Sequence, residues 1–157
     1  MSSRVNWKAK KYVRDTLHPA IAAGLERSAA HAQRKMRINM GSEGGGVKRK
    51  TKKGRNVYFA SPAGRFPGVR SGFLRRSIVW WRPTSEATST LAPFIRVGVP
   101  STAFHNARSV GFYAGILERS KNPKVRRPWA MRTIREEKGP MSRIFSSTAA
   151  ARLRGGG

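Results

Sequence analysis

Residues 13–40 have the sequence VRDTLHPAIAAGLERSAAHAQRKMRINM, and this stretch predicts the main helix of the fold. Its apolar side chains recur every four residues, with one interval of three, at Val13, Leu17, Ile21, Leu25, Ala29, Ala32, Met36 and Met40. This spacing puts them on one face of an α-helix. Cations occupy the last turns, where they suit the helix dipole, and Gly41 follows as a candidate C-terminal cap.

Pro19 interrupts this pattern, so we expect it either to kink one long helix or to start a second one. A helix from Trp7 to Ile38 would be about 48 Å long, at roughly 1.5 Å per residue. One small domain can hardly cover the whole apolar face of a helix that long. The apolar stripe therefore has two interpretations: it is an ordinary core face, or part of it faces a neighbouring chain.

The second half of the chain predicts strands followed by helices. Residues 78–82, IVWWR, are β-branched and aromatic and predict a strand. Residues 91–99 predict a second strand, in which Ile95, Val97 and Val99 alternate with Arg96 and Gly98, so we expect a half-buried antiparallel pair. Residues 111–118, GFYAGILE, fit a strand or a helix equally well. Pro128 suits the first turn of a later helix. The pattern over 141–149 is amphipathic at helical spacing, after an interruption at 139–140.

A basic segment separates these two halves. Residues 41–46, GSEGGG, lead into 47–55, VKRKTKKGR, where six of nine residues are cationic. Glycine permits many backbone angles and like charges repel, so we expect a flexible basic loop over 41–66. Six side chains are the candidate contacts to DNA phosphates or to an acidic protein: Lys48, Arg49, Lys50, Lys52, Lys53 and Arg55.

The whole chain is strongly basic. Its 157 residues include 33 Lys or Arg against 7 Asp or Glu, for a net charge of +26, and no Cys. The length predicts a single domain over 1–157, and the charge predicts an anionic partner. The lack of Cys excludes disulfides and cysteine metal sites. No apolar run approaches the ~20 residues that span a bilayer, so we expect no membrane partner and synthesis in a cytoplasm.

Residues suited to catalysis are sparse. The adjacent carboxylates Glu136 and Glu137 would face different directions on a helix, so they do not form a ready acid–base pair. His18, His31 and His105 lack the spacing of metal ligands. We therefore expect neither an enzyme nor a cofactor or metal site.

Three short segments, in this order, resemble a known family. They are SGFLRRSI at 71–78, YAGILER at 113–119 and RPWAM at 127–131. They are similar to the "TG-x-L-R-x-S-I", "Y-A-x-x-L-E-x-G" and "R-P-F-L" segments of the siphophage neck or tail-completion proteins, the minor tail proteins that join head to tail. The matching positions are Ser71, Gly72, Leu74, Ile78, Tyr113, Leu117, Glu118, Arg127, Pro128 and Trp129.

The resemblance implies an α+β fold, with a long N-terminal helix packed on a small antiparallel β-sheet, and C-terminal helices. It implies a structural virion protein at the head–tail junction: a ring, expected to be a hexamer, between head-closure and tail-terminator proteins. No cofactor comes with it. Two departures stand out: Ser120 replaces the glycine of "E-x-G", and the basic arm is longer than expected.

A second class of function accounts for the charge equally well. A basic nucleic-acid-binding protein of ribosomal or nucleoid type would carry the same excess of cations. It does not account for the three ordered segments. The basic arm distinguishes the two hypotheses, because its removal would abolish nucleic-acid binding in the second and leave ring assembly intact in the first.

Overall fold

A computed structural model of the chain describes residues 2–43, 48–50, 54, 56–58, 61–68, 72–82, 94–105 and 108–155. The helices are α1 (Ser2–Tyr12), α2 (His18–Asn39), α3 (Phe73–Arg76), α4 (Val110–Arg119), α5 (Ala130–Glu136) and α6 (Lys138–Arg154). The strands are β1 (Lys48–Lys50), β2 (Asn56–Tyr58), β3 (Val79–Trp81), β4 (Arg96–Gly98), β5 (Phe104–His105) and β6 (Arg108–Ser109). The chain is therefore α+β, as the resemblance implies.

Pro19 shapes the N-terminal helix without breaking it. A π-helical turn, Val13–Leu17, joins α1 to α2, and the His18 N–H bonds to the carbonyl of Val13. Proline has no N–H for the carbonyl four residues earlier, and its ring crowds that carbonyl. The wider turn accommodates both defects. The chain thus continues as one helix with a π bulge, a common response to an insertion or a proline.

The predicted end of this helix is confirmed. Gly41 has φ of 83°, a left-handed conformation, and its N–H donates to the carbonyl of Pro67 at 2.9 Å. Met40 still bonds back to Met36. The side chains of Ala29, Ala32, Met36 and Met40 are buried, so the second half of the predicted stripe is core.

Strands in the described residues pair two by two, as β1–β2, β3–β4 and β5–β6. The β1–β2 hairpin lies within 41–66, where the sequence predicts a flexible loop, and it aligns Lys48 with Tyr58. Residues 48–50 and 56–58 therefore form paired strands within this segment, while its flexibility stays a prediction. Its C-terminal end is also anchored, because Ser61, Phe66 and Pro67 are buried.

Two local predictions are settled by the backbone. Residues 111–118 form helix α4, with the Ser109 hydroxyl accepting the Phe112 N–H as an N-cap. The short helix α3 has Gly72, with φ of 71°, as its N-cap residue. A left-handed residue there favours glycine. The later helix α5 begins at Ala130, so Pro128 precedes it.

The chain divides into two compact units. The first comprises Met1–His31, Trp80–Arg96 and Lys138–Gly157. Within it, the Ser28 hydroxyl donates to the Met141 carbonyl at 2.9 Å, and Glu26 forms an ion pair with Arg82. A Cβ on Gly24 would lie 2.8 Å from Cδ2 of Phe145, so the missing side chain allows this close approach.

The second unit comprises Ala32–Val79 and Val97–Glu137, and it contains a hydrophobic core. The fully packed members are Met36, Met40, Phe66, Ile78, Ala114, Leu117 and Trp129. Partly buried side chains surround them: Leu74, Val97, Val99, Ala130 and Ile134. The end of α2 also bonds to the residue before β3, because Gln33 and Arg37 both donate to the carbonyl of Ile78.

Gly24→Ala tests the close approach of α2 and α6. The new methyl would meet both the Phe145 ring and its carbonyl oxygen, at 2.8 and 2.9 Å. We expect a loss of about 1–3 kcal/mol in the free energy of unfolding, from overpacking. Gly139→Ala is the matched control, because apart from its chain neighbours nothing lies within 4 Å of its Cβ position. Since Pro140 follows and disfavours a side chain in the helical conformation, we expect the free energy of unfolding to change by less than about 1 kcal/mol. Equal unfolding midpoints in urea for the two variants would contradict this account.

Candidate assembly site

The three sequence segments that carry the resemblance meet in the second unit. Ile78, Leu117 and Trp129 come from different segments, and all three are buried in one core cluster. Leu74 packs against that cluster from α3. These motif residues are therefore neighbours in space. They pack together although Leu74 and Trp129 are 55 residues apart along the chain.

Glu118 connects the second segment to the third. Its carboxylate accepts three backbone N–H groups at the start of α5, from Trp129 at 2.8 Å, Ala130 at 2.9 Å and Met131 at 3.1 Å. The first N–H groups of a helix have no partner within the helix, and the helix dipole favours a negative charge there. Glu118 thus fixes where α5 begins relative to α4.

Arg127 also holds the backbone, but it donates hydrogen bonds to carbonyl oxygens, whereas Glu118 accepts them from N–H groups. Its Nε bonds to the Ser61 carbonyl at 2.9 Å, and its Nη1 to the carbonyls of Lys124 and Val125 at 3.2 and 2.7 Å. Its own N–H donates to the Leu117 carbonyl at 2.7 Å. One side chain therefore holds the end of the 41–66 segment and the turn before α5.

Trp129 is the central side chain of this arrangement. It is 4% exposed, and its indole N–H donates to the Ala114 carbonyl at 3.3 Å. The Thr133 hydroxyl donates to the Trp129 carbonyl at 2.7 Å. The same hydroxyl oxygen accepts a hydrogen bond from the Asn39 side-chain amide at 3.2 Å. The tryptophan is buried with its polar atom satisfied, as large aromatic residues in cores usually are.

Glu43 and Arg132 form a second link, which the sequence did not single out. Two guanidinium nitrogens of Arg132 bond to the Glu43 carboxylate, both at 2.8 Å. The carboxylate also accepts the Phe66 N–H at 2.8 Å, and the Arg132 guanidinium lies 4.3 Å from the centroid of the Phe66 ring. The Arg132 guanidinium, followed by the Phe66 N–H, lowers the pKa of Glu43 from 4.5 to about 2.

Helix α4 has an apolar face that the described residues leave exposed. Val110, Ala114 and Leu117 are buried, whereas the other side exposes Phe112 at 72% and Tyr113 at 53%. Ile116 adds to this side at 38% exposure, and Phe104, on β5, is 60% exposed. We call Phe112, Tyr113 and Ile116 the α4 face. Exposed apolar patches of this kind mark interaction surfaces.

The predicted DNA or acidic-partner contacts are only partly located. Lys48, Arg49 and Lys50 form strand β1, whose backbone is described, while Lys52, Lys53 and Arg55 lie outside the described residues. Among the family positions, Ser71 also lies outside them. Tyr113 is exposed and Pro128 is half-buried, so these two positions do not belong to the core.

Every described carboxylate has a structural partner. Asp15 binds Arg14, Glu26 binds Arg82, Glu136 binds Arg132 and Glu137 binds Lys35. Glu43 and Glu118 are held as described above, and the seventh acid, Glu86, lies outside the described residues. Many exposed cations consequently have no carboxylate partner in the described part of the chain, among them Lys8, Lys10, Arg119, Lys121, Arg135, Arg143, Arg152 and Arg154.

Among the described residues, neither a cluster of metal ligands nor a bilayer-spanning helix is found. No three His, Asp or Glu side chains come together there as a group that could hold a metal ion. None of the helices described above has both the length and the apolar character that crossing a bilayer requires.

Comparison of the chain with protein-family models, with curated proteins and with solved structures finds no match. The candidate site is therefore defined by three features of this structure alone. They are a core built from three motif segments, an exposed apolar face on α4 and an uncompensated positive charge.

Glu118→Ala tests the link between α4 and α5. The variant leaves three N–H groups without their acceptor, so we expect a loss of about 1–3 kcal/mol in the free energy of unfolding. Glu136→Ala is the matched control: it removes the same type of side chain from an exposed i,i+4 pair, and such pairs contribute only about 0.3–0.5 kcal/mol. Glu118→Gln should recover part of the loss, because its amide oxygen still accepts. Thermal unfolding of the three variants measures this, and equal losses for both alanine variants would count against it.

The Glu43 carboxylate makes stability depend on pH. Its pKa in the folded protein, about 2, lies below the ordinary 4.5. Its stabilisation is therefore complete above about pH 4.5 and is lost as the pH falls towards about 2. We expect Glu43→Gln to be less stable than the parent at neutral pH, with a difference that narrows below about pH 4.5. Urea unfolding at several pH values measures this difference, and a constant gap down to about pH 3 would refute it.

Proposed function

We propose that this chain is a structural virion protein, a neck subunit that forms a ring between the head-closure and tail-terminator proteins around the DNA channel. The ring is expected to contain six copies, and the protein needs no cofactor and catalyses no reaction. It would assemble in the cytoplasm of a bacterial host and remain in the virion at the head–tail junction.

One observation carries this proposal. The segments that resemble the neck family come together in one core, where Glu118 and Arg127 hold the backbone of α5 and of the turn before it. These side chains have structural tasks in the chain, which is what a structural family's motifs would provide. The three segments therefore act together as parts of one structural unit.

The charge distribution supports the same role. The described carboxylates are all engaged within the chain, so the excess of cations remains available to an anionic neighbour. A ring that surrounds DNA, or that contacts acidic rims of other rings, gains from such a surface. The carboxylates are also occupied as structural partners, which favours a structural role over an acid–base one.

The α4 face is the part of the second unit best suited to contact between copies. A closed ring uses a heterologous interface, in which one surface of each copy meets a different surface of the next. Aromatic and aliphatic side chains that protrude from a helix are typical of the buried centre of such interfaces. We propose that Phe112, Tyr113 and Ile116 lie at this centre.

The experiment that tests the proposal is electron cryo-microscopy of virions that carry this chain, with an antibody fragment bound to mark it. We expect the fragment at the head–tail junction, arranged as a ring. The absence of the chain from purified virions, or its presence elsewhere in the particle, would overturn the proposal.

A basic nucleic-acid-binding protein remains the second candidate, favoured by the net charge of +26. Deletion of 47–55 distinguishes the two. For a neck subunit we expect rings in negative-stain images of the purified deletion variant, as in the parent protein. For a nucleic-acid-binding protein we expect no rings from either, and a loss of nucleic-acid binding on deletion.

Phe112→Asp tests the α4 face. Phe112 is 72% exposed, so we expect the folded chain to keep its stability within about 0.5 kcal/mol. We expect the concentration needed for ring assembly to rise at least about tenfold, because a charge would be buried in the interface. Leu153→Asp is the matched control, since Leu153 is an exposed apolar residue on α6. Analytical ultracentrifugation measures both, and unchanged assembly of Phe112→Asp would refute the assignment.

A further inference from the structure

The first helix is the most exposed element of the first unit. All six side chains from Trp7 to Tyr12 are exposed, with Trp7 at 63% and Tyr12 at 56%. From Trp7 onwards, Ala20 is the first buried residue. The side chains of these six residues therefore expose about 9 Å of helix on all sides, at about 1.5 Å per residue.

The same helix carries charge of one sign only. Residues 2–14 include five cations, Arg4, Lys8, Lys10, Lys11 and Arg14, and no carboxylate. The first acid is Asp15, and two hydrogen bonds from Arg14, at 2.6 and 3.1 Å, engage both of its oxygens. Asp15 is shared between Arg14 and Lys11, whose charges both lower its pKa, and residues 2–14 contain no carboxylate for Lys8 and Lys10.

Helix geometry makes this arrangement unfavourable in isolation. Lys8 and Lys11 are three residues apart, and Lys10 and Arg14 are four apart, so each pair shares one side of the helix and repels. A helix of this length without packing partners is marginal in water. A bound polyanion would relieve the repulsion and stabilise the helical conformation at the same time.

The arrangement of the aromatic side chains favours nucleic acid over a lipid surface. Trp7 and Tyr12 are five residues apart, which is about 140° around a helix at roughly 100° per residue. Lys8 and Lys11 fall between them, and the Lys11 ammonium lies over the Trp7 ring, 5.5 Å from its centroid. Ala9 lies about 160° around the helix from Trp7, so the exposed tryptophan is not part of one apolar face that could enter a bilayer, as membrane-surface helices require. Cations with exposed aromatic rings between them are typical of contacts to single-stranded nucleic acid, and the cations by themselves suit the phosphates of any strand.

We infer that the segment from Trp7 to Arg14 binds the phosphate backbone of nucleic acid without reading its sequence, through Lys8, Lys10 and Lys11. This site is distinct from the basic arm at 47–55. The inference does not rest on the neck role, since it follows from the first unit alone. Phosphate contacts of this kind give affinity that falls steeply with salt and that is similar for all sequences.

The test compares two full-length variants that lose the same charge. One carries Lys8→Gln, Lys10→Gln and Lys11→Gln, and the matched control carries Lys121→Gln, Lys124→Gln and Arg135→Gln at exposed positions of the second unit. The probes are two fluorescein-labelled DNA duplexes of about 30 base pairs and unrelated sequence, long enough for several phosphate contacts. Fluorescence anisotropy, at about 50 to 300 mM salt, gives the affinity and its salt dependence.

For the helix variant, we expect affinity for both duplexes to fall about tenfold or more near physiological salt, and the slope of log K against log salt to decrease by about 2.7, or 0.9 for each lost phosphate contact. The control should change the slope by less than about 0.9, which is the value for one phosphate contact. Equal changes in the two variants would overturn the inference, because net charge alone would then account for binding.

Two further measurements keep the result interpretable. Circular dichroism melting should be unchanged in the helix variant, because the substituted side chains are exposed; if it does change, the single variants Lys8→Gln and Lys10→Gln replace it, each with an expected slope change of about 0.9. Vesicles containing phosphatidylserine test the lipid alternative. Loss of vesicle binding with unchanged duplex binding would overturn the inference. Ring assembly, followed separately, reports on the neck proposal.

Discussion

The scarcity of carboxylates is the constraint on which this structure depends. Seven acids face 33 basic residues, so each carboxylate has a large effect on where the chain is held together. Two of them act on the backbone of the second unit. Glu118 binds the first N–H groups of α5, and Glu43 binds Arg132 together with the Phe66 N–H. Charge-assisted hydrogen bonds of this type are stronger than neutral ones.

These contacts explain how a small apolar inventory suffices to position the second unit. Its core is built around Trp129, Met36 and Ile78, and the polar atoms next to that core are satisfied by Thr133, Asn39 and Arg37. No buried side-chain nitrogen or oxygen in the described residues lacks a hydrogen-bond partner. Polar networks that are fully satisfied add specificity to a core, whereas unsatisfied ones would destabilise it.

The engagement of the carboxylates within the chain also determines the charge of its surface. Because the described acids are engaged internally, the positive charge outside them is not neutralised by the chain itself. The described residues expose two different surfaces that suit contacts. One is the apolar α4 face in the second unit, and the other is the basic first helix in the first unit. The proposed neck role uses the first of these for contact between copies, and the inferred nucleic-acid contact uses the second.

The sequence by itself determined the features that depend on local spacing. The apolar stripe from Ala29 to Met40, the left-handed Gly41 and the basic character of residues 47–55 follow from residue order and type, because helical period and glycine geometry act over a few residues. The α+β class and the segments that build the core were expected from the three short motifs. The sequence also indicated that Pro19 would disturb the helix, though not that a π turn would absorb it.

Only the tertiary structure decided the features that depend on partners far along the chain. Glu43 and Arg132 are 89 residues apart, so no local pattern pairs them. Residues 111–118 fit both helix and strand until burial of Val110, Ala114 and Leu117 along one side favours the helix. The sequence marks Glu118 only as a motif position, and it becomes a helix cap because folding brings α5 to it. Packing selects among locally equivalent conformations, since its energy comes from contacts that exist only in the folded chain.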